Sequence, residues 1–226
     1  MKRFQSKMQI NQPIDVENSI NSGQVFLWKK NKGFWYGVNG QDILEVNKNG
    51  KIKSLKNYKT DFFRNNDNFD EIIKSISKDK TVKNAVKKYP GLRIIKQDPF
   101  QCLISFIVSS NSNIQKIKTN LENISQKFGE RVEYKNQEFF LFPDARMLSK
   151  ASMAEIKNCG VGYRAKFIKE ASEIFVSEKI TVADLRSRNY YDAKKKIRII
   201  PGIGNKVADC ILLFSLDKLE SFPLDR

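Results

Sequence analysis

The most reactive position in the sequence is a lysine at the start of a predicted helix. Lys206 follows residues 199–205, where Pro201 ends one helix, two glycines allow a tight reversal, and apolar residues from Val207 onward begin another. The positive end of the helix dipole disfavours an ammonium, so this position favours the neutral amine, which is a nucleophile. A charged lysine here would instead contact a phosphate.

The residue types that are missing narrow the chemistry. Histidine is absent from all 226 residues, so any acid–base step must use Asp, Glu, Lys, Tyr or Cys. The three cysteines are far apart and lack the close spacing of a zinc site or an iron–sulfur cluster; they are Cys102, Cys159 and Cys210. We expect no required cofactor and no iron–sulfur cluster.

The two helices around residues 201–205 form a helix-hairpin-helix. Its glycines let the backbone approach a phosphate, and the free N–H groups of the second helix can face that phosphate. Such contacts hold DNA without reading its sequence. A Gly-x-Gly turn between two ordinary helices has the same local pattern, so the motif alone does not decide. The residues expected to bind phosphate are Gly202, Ile203, Gly204 and Asn205.

The overall charge points to a polyanionic partner. Lys and Arg outnumber Asp and Glu by 41 to 25, which gives a formal net charge of +16. Nucleic acid fits this charge, although a merely soluble basic protein or one drawn to anionic membranes would share it. No stretch approaches the roughly 20 apolar residues of a bilayer span. We expect a monomer inside the cell without membrane attachment, in the cytoplasm or nucleoid of a prokaryote or the nucleus of a eukaryote.

The elements that must position these residues fall into two parts. Apolar runs separated by Asn-Gly turns predict a small antiparallel sheet, and helical spacing follows from Phe69 to Pro90. The predicted strands cover residues 34–38, 43–46 and 52–55, with a further strand at 24–28. Asp98 and Pro99 predict the start of a strongly apolar and therefore central helix. Further helices are predicted over residues 114–128, 153–158, 163–176 and 190–199, with an extended segment at 139–142.

These patterns predict an α+β fold with two domains. Residues 1–96 form an N-terminal antiparallel β domain with adjoining helices. Residues 97–226 form an all-helical helix-hairpin-helix domain.

Several segments resemble, in the same order, the eukaryotic-type 8-oxoguanine DNA glycosylase family within the helix-hairpin-helix glycosylase superfamily. They are IPGIGNKVADC at 200–210, PLD at 223–225, QDP at 97–99, SSNSNI at 109–114, GVGYRA at 160–165 and SGQVFLW at 22–28. The resemblance spans nearly the whole chain. It implies a base excision repair enzyme that removes 8-oxoguanine from double-stranded DNA, preferably opposite cytosine.

The resemblance also implies roles for individual residues. Lys206 attacks C1′ of a flipped nucleotide, expels the base and forms a Schiff base, through which β-elimination cuts the strand, so the enzyme is both a glycosylase and an AP lyase. Asp225 matches the carboxylate that stabilises positive charge developing on the sugar. Without the resemblance, Lys206 would be a phosphate contact and Asp225 a solvated acid.

Contacts to the bases carry over in the same way. Gly23 resembles the glycine whose carbonyl accepts the N7 hydrogen of 8-oxoguanine, and Cys210 the residue against one face of that base. Asn111 resembles the residue that fills the vacated space, Tyr163 the wedge beside it, and Arg164 a donor to the estranged cytosine. Their local sequence alone is also compatible with a turn glycine, a buried cysteine, a helix cap, a core aromatic residue and a surface charge.

Two departures from the family have consequences. Lys116 stands where the family commonly has a second cytosine-reading arginine, and lysine lacks the planar bidentate fork, so we expect looser discrimination of the opposite base. In the family, further helices follow the carboxylate and supply an aromatic residue for the other face of the base. We therefore expect the helical domain to be incomplete at its C-terminus or its pocket to be completed differently.

Three functions from different classes remain open. They are a glycosylase/lyase for oxidised purines, a monofunctional glycosylase for another damaged base, and a noncatalytic DNA-binding module. Lys206 separates them, because a monofunctional enzyme activates water and a binding module needs neither Lys206 nor Asp225. A structural cation is also a hypothesis, held between the hairpin and a phosphate by the carbonyls of Arg198, Ile200 and Ile203.

Overall fold

A computed structural model describes residues 6–8, 13–56 and 61–225, with side chains from residue 13 onward. The chain divides into two compact units. One comprises residues 1–37 and 42–96, and the other comprises residues 38–41 and 97–226. None of the helices in the described part is long and apolar enough to cross a membrane.

The first unit is built on an antiparallel sheet. Its strands are β1 (Ser6–Met8), β2 (Trp28–Asn31), β3 (Phe34–Asn39), β4 (Asp42–Asn47) and β5 (Ile52–Ser54). The spatial order is β1-β5-β4-β3-β2, so β2 to β5 form a meander in which each strand pairs with the next in sequence. This confirms the predicted sheet and its tight connections.

The strand predicted at residues 24–28 is wrong in position, because only Trp28 of that range belongs to β2. The side chain of Gln24 explains the difference. Its amide nitrogen donates to Ser22 Oγ at 2.8 Å and to the Arg93 carbonyl at 2.9 Å, and its oxygen accepts from the Ile95 N–H at 2.8 Å. These bonds hold the segment in a turn that an apolar pattern cannot reveal.

Three helices complete the first unit: α1 (Val16–Asn21), α2 (Phe69–Ile76) and α3 (Lys80–Lys88). Each has an Asp or Asn side chain as its N-cap, which satisfies N–H groups of the first turn. The buried core joins α1 and the sheet to a loop bearing Phe62 and Phe63. Trp28 and Phe62 lie with ring centroids 5.1 Å apart.

The second unit is mainly helical. Its helices are α4 (Pro99–Ser109), α5 (Ile114–Phe128), α6 (Ala145–Lys150), α7 (Met153–Ile156), α8 (Arg164–Val176), α9 (Val182–Ser187), α10 (Tyr190–Ile197) and α11 (Asn205–Ser215). A β-hairpin of β6 (Arg131–Tyr134) and β7 (Gln137–Phe140) follows α5, and a π-helical segment (Lys157–Val161) follows α7. The α+β fold class is therefore confirmed, but the prediction of an all-helical second domain is wrong at the β6–β7 hairpin.

The central helix is α4, as predicted. Residues 101–108 are all buried, and α4 packs against α5, α8 and α11. Asp98 caps it by accepting the Gln101 N–H at 2.8 Å. Because α11 packs against the buried helix α4, the helix that carries Lys206 is held by the core of the unit.

Some boundaries differ from the prediction. Of the extended segment predicted at 139–142, only residues 139 and 140 belong to β7. The turn before β7 has Lys135 and Asn136 at positive φ, and no glycine in the sequence indicates it. The helix predicted over 153–158 ends at Ile156 and continues as the π-helical segment. The helix predicted over 190–199 ends at Ile197.

Candidate active site

The predicted helix-hairpin-helix is present, formed by α10, a turn and α11. Gly202 has φ +85°, and a β-carbon there would lie 2.6 Å from the Phe167 ring, so both conformation and space require glycine. Gly204 is different: its φ is −83°, and a β-carbon would meet nothing within 4 Å. The backbone just before α11 is therefore open to a ligand.

The N-terminus of α11 lacks a side-chain cap in the described chain. In contrast, Asp98 caps α4 and Asn189 caps α10. The first N–H groups of a helix need partners, and an anion placed there gains both hydrogen bonds and a favourable dipole. This end of α11 has the free N–H groups that phosphate binding needs, and phosphate binding by residues 202–205 stays a prediction.

The two predicted catalytic residues lie together at this helix end. Lys206, in the first turn of α11, has its Nζ 2.7 Å from Asp225 Oδ2. The side chains are 43% and 80% exposed, so the pair is open to solvent and to a substrate. A carboxylate at this distance can exchange a proton with the amine and can face positive charge beside it.

Cys210 lies one turn further along α11 and is buried, at 3% exposure. Burial raises the pKa of its thiol to about 12, against the opposing effect of the Lys206 charge. The thiol is therefore neutral near pH 7 and suits packing rather than nucleophilic attack.

The turn between α4 and α5 carries Asn111 at φ +51° with an exposed side chain. Asn111 does not cap α5. Asn113 does, by accepting the Lys116 N–H at 2.9 Å. Lys116 itself is exposed in the first turn of α5.

Arg164 holds this turn from the start of α8. Its Nε donates to the Ser110 carbonyl at 2.8 Å and its Nη2 to the Asn111 carbonyl at 2.9 Å, while Nη1 donates to the Val161 carbonyl at 3.2 Å. The guanidinium lies 4.7 Å from the centre of the Tyr163 ring. Arg164 is 6% exposed, so it is not the surface charge that its local sequence allowed. Tyr163 is 59% exposed, so it is not a core aromatic residue.

Gly23 belongs to the first unit, in the turn after α1. Its φ of +83° is a conformation that favours glycine, and a β-carbon would meet nothing within 4 Å. The local conformation alone accounts for glycine here. Its proposed contact with the lesion stays a prediction.

Sequence reasoning missed a polar cluster between α10 and α11, which we call the hairpin cluster: Tyr190, Lys194 and Asp209. Tyr190 Oη donates to Asp209 Oδ1 at 2.7 Å, and Lys194 Nζ donates to Tyr190 Oη at 2.9 Å and to Asp209 Oδ2 at 2.8 Å. The sequence does contain a pattern that could have indicated this cluster. Asp209 interrupts the apolar face of α11, and Tyr190 and Lys194 are four residues apart on α10 and therefore share one face of that helix.

The described residues contain no group of three or more Cys, Asp or Glu side chains that could hold a metal ion. The cation proposed at the hairpin carbonyls stays a prediction. Of those carbonyls, Ile200 already accepts the Ile203 N–H at 3.2 Å.

Two family matches cover most of the chain. Residues 7–103 match the 8-oxoguanine DNA glycosylase N-terminal domain, and residues 104–217 match the HhH-GPD superfamily of base excision DNA repair proteins.

Similar proteins agree with these matches. An N-glycosylase/DNA lyase of Arabidopsis thaliana is 30% identical in an alignment 223 residues long, which covers 90% of this chain and 61% of the plant protein. A probable N-glycosylase/DNA lyase of Methanothermobacter thermautotrophicus is 32% identical over 167 residues, covering 65% of this chain and 53% of that protein. The chain thus spans little more than half the length of these two curated relatives.

Solved structures show the same relationship. The apo-form of the Clostridium acetobutylicum 8-oxoguanine glycosylase/lyase superposes with a TM-score of 0.90 at 30% identity, over 100% of this chain and 83% of that one. The same protein bound to double-stranded DNA with cytosine opposite 8-oxoguanine gives 0.88 at 29%, with the same coverage. The chain belongs to the HhH-GPD superfamily of base excision DNA repair proteins and carries the N-terminal domain of 8-oxoguanine DNA glycosylases.

Proposed function

We propose that this protein is a DNA glycosylase with AP lyase activity that removes 8-oxoguanine from duplex DNA. The observation that carries the proposal is the Lys206–Asp225 pair at the uncapped end of α11. A monofunctional glycosylase or a binding module requires no such amine. The names of the similar proteins support the same activity, and such an enzyme acts inside the cell, where the DNA is.

The pair supports a balanced reaction. Once its ammonium has lost a proton, the Lys206 nitrogen bonds to C1′ while the glycosidic bond breaks, and the base leaves with the bonding electrons and takes up a proton. Loss of an N–H proton and opening of the sugar give the Schiff base. A proton then leaves C2′ and the C3′–O bond breaks, which cuts the strand. Asp225 can take up the ammonium proton and stabilise the positive charge at the sugar.

The remaining residues bind the DNA in this proposal. The hairpin backbone holds a phosphate, Cys210 offers a neutral face to the flipped base, and the Gly23 carbonyl accepts the N7 hydrogen. Asn111 and Tyr163 have the exposed side chains needed to fill the space left by the base. The preferred partner is duplex with cytosine opposite 8-oxoguanine, read by Arg164 and Lys116.

The test is reduction with borohydride on duplex containing 8-oxoguanine opposite cytosine. An imine is reducible, so the parent protein should form a covalent adduct with the DNA, and Lys206→Gln should not. The matched control is Lys195→Gln, which removes an exposed lysine of α10 and should still be trapped. Duplex binding should survive in both variants, because many other groups contact phosphates.

Normal trapping in Lys206→Gln would assign the nucleophile to another amine. Excision by the parent without any trapping would indicate a monofunctional enzyme. Absence of excision would overturn the proposed activity.

A further inference from the structure

In the hairpin cluster Asp209 is buried, while Tyr190 and Lys194 are half-buried, so the hydrogen bonds to the carboxylate are strong and their loss is costly. Asp209 is 5% exposed, and both of its carboxylate oxygens accept hydrogen bonds. Although burial opposes it, hydrogen bonds from Lys194 to Asp209 and Tyr190 raise the pKa of Lys194, so the lysine stays charged. Removing one partner of a buried pair strands the other charge in a medium of low dielectric.

The cluster joins the two helices of the hairpin at a defined rotation. The two helices also pack against each other, and the apolar residues Ala193 and Ile197 of α10 are buried. Apolar packing tolerates small slides and rotations, whereas a closed ring of three hydrogen bonds, two of which cross from α10 to α11, does not.

Asp209 lies three residues after Lys206 and immediately before Cys210. We propose that Tyr190, Lys194 and Asp209 are positioning residues, which fix α11 against α10 and thereby hold Lys206 and Cys210 in place for the flipped nucleotide. The inference rests on the proposed function for its consequence in catalysis, but its structural part can be tested separately.

The first measurement compares two variants that remove the same charge from the same helix. Lys194→Met breaks the cluster, and Lys195→Met removes an exposed neighbour. Both should weaken duplex binding by a similar factor. Only Lys194→Met should slow single-turnover excision, by about 10- to 100-fold, because small misplacements of a reacting group are costly.

Two further variants separate positioning from general loss of structure. Lys194→Arg keeps a charged donor within reach of the carboxylate and should recover part of the excision rate. Tyr190→Phe removes one hydroxyl but leaves the Lys194–Asp209 pair, so its loss should be intermediate. Equal excision rates in Lys194→Met and Lys195→Met would overturn the proposal.

The second measurement needs no activity. All three cysteines are buried, so reaction with iodoacetamide, located by mass spectrometry, reports local opening. Lys194→Met should raise the labelling rate of Cys210 several-fold while Cys159, outside the hairpin, keeps the parental rate. Lys195→Met should change neither.

The outcomes of the two measurements are distinguishable. Suppose that Lys194→Met raises labelling at Cys210 alone, but that the parent protein excises nothing. This outcome would support the structural role of the cluster and overturn the proposed function. Equal acceleration at Cys210 and Cys159 would show general loosening and contradict a specific positioning role. Unchanged labelling of Cys210 would contradict it as well.

Discussion

Arg164 links the start of α8 to the Asn111 turn through its guanidinium. The resemblance implies that its guanidinium donates to the estranged cytosine. In the structure, Nε, Nη1 and Nη2 all donate to carbonyls, including those of Ser110 and Asn111. An arginine has five N–H donors in a fixed fork, so reading a base requires exchange of some of these bonds. If Arg164 reads the opposite base as proposed, we expect it to couple the conformation of the Asn111 turn to that recognition.

This coupling can be tested by the ratio of excision rates opposite different bases. Arg164→Ala should lower excision opposite every base, since the Asn111 turn loses its support. It should also narrow the cytosine-to-adenine rate ratio by about 5- to 150-fold, because a bidentate contact is worth roughly 1–3 kcal/mol against a wrong base. Lys116→Arg should widen the ratio by restoring a planar fork.

The measurement is single-turnover excision on four duplexes that differ only in the base facing 8-oxoguanine. Using the ratio cancels any general loss of activity in Arg164→Ala. If the parent and both variants give identical ratios, neither side chain reads the base and the roles taken from the family are wrong for this chain.

Among the elements, the hairpin turn contains two glycines with different structural demands. Gly202 needs a left-handed conformation and the space beside Phe167, whereas Gly204 has ordinary φ and open surroundings. Gly202→Ala should lower the free energy of unfolding by about 1–2 kcal/mol for the conformation alone, with a further loss from the contact with Phe167. Gly204→Ala should cost less, about 1 kcal/mol or below, for a poorer N-cap.

Urea unfolding of the parent and the two variants measures this difference. Gly204→Ala also places a methyl group where a phosphate would approach, so its main effect should be on duplex affinity. Equal unfolding free energies for the two variants would mean that the turn adjusts and that Gly202 is dispensable for folding.

The elements also show how far local sequence could predict the structure. The start of α4 and both ends of α5 follow from caps and apolar spacing, and so does the start of α11, where glycine and proline mark the turn. Three short helices, α1, α6 and α9, were missed, although Asp15, Asp144 and Thr181 cap them, because six residues give too little periodicity.

What remained unpredictable depends on side chains far apart in sequence. The turn at Gln24 is held by bonds to Arg93 and Ile95, and the hairpin cluster pairs α10 with Asp209 of α11. Likewise, no pattern near Arg164 indicates that its partners are the carbonyls of residues 110 and 111. The resemblance identified residues that could form the site, but their local hydrogen bonds required the fold.

At the scale of the whole molecule, we expect the excess of positive charge to decide how the proposed DNA partner is held. The net charge of +16 exceeds what ion pairs within the chain can balance, since every Asp and Glu is already counted in it. We expect contacts from this surplus to go to phosphates, which carry no sequence information. Affinity for duplex should therefore depend strongly on salt and only weakly on the lesion.

This expectation has a definite size. If the bound protein neutralises about four to six phosphates, the logarithm of affinity should fall with the logarithm of salt concentration at a slope of about −4 to −5. Undamaged duplex should give nearly the same slope, because flipping and reading the base add few phosphate contacts. Lys206→Gln should change the slope by no more than about 1, the contribution of a single lysine. Fluorescence anisotropy over a salt series measures all three slopes. Binding that does not vary with salt would show that this basic surface is not the face that holds DNA.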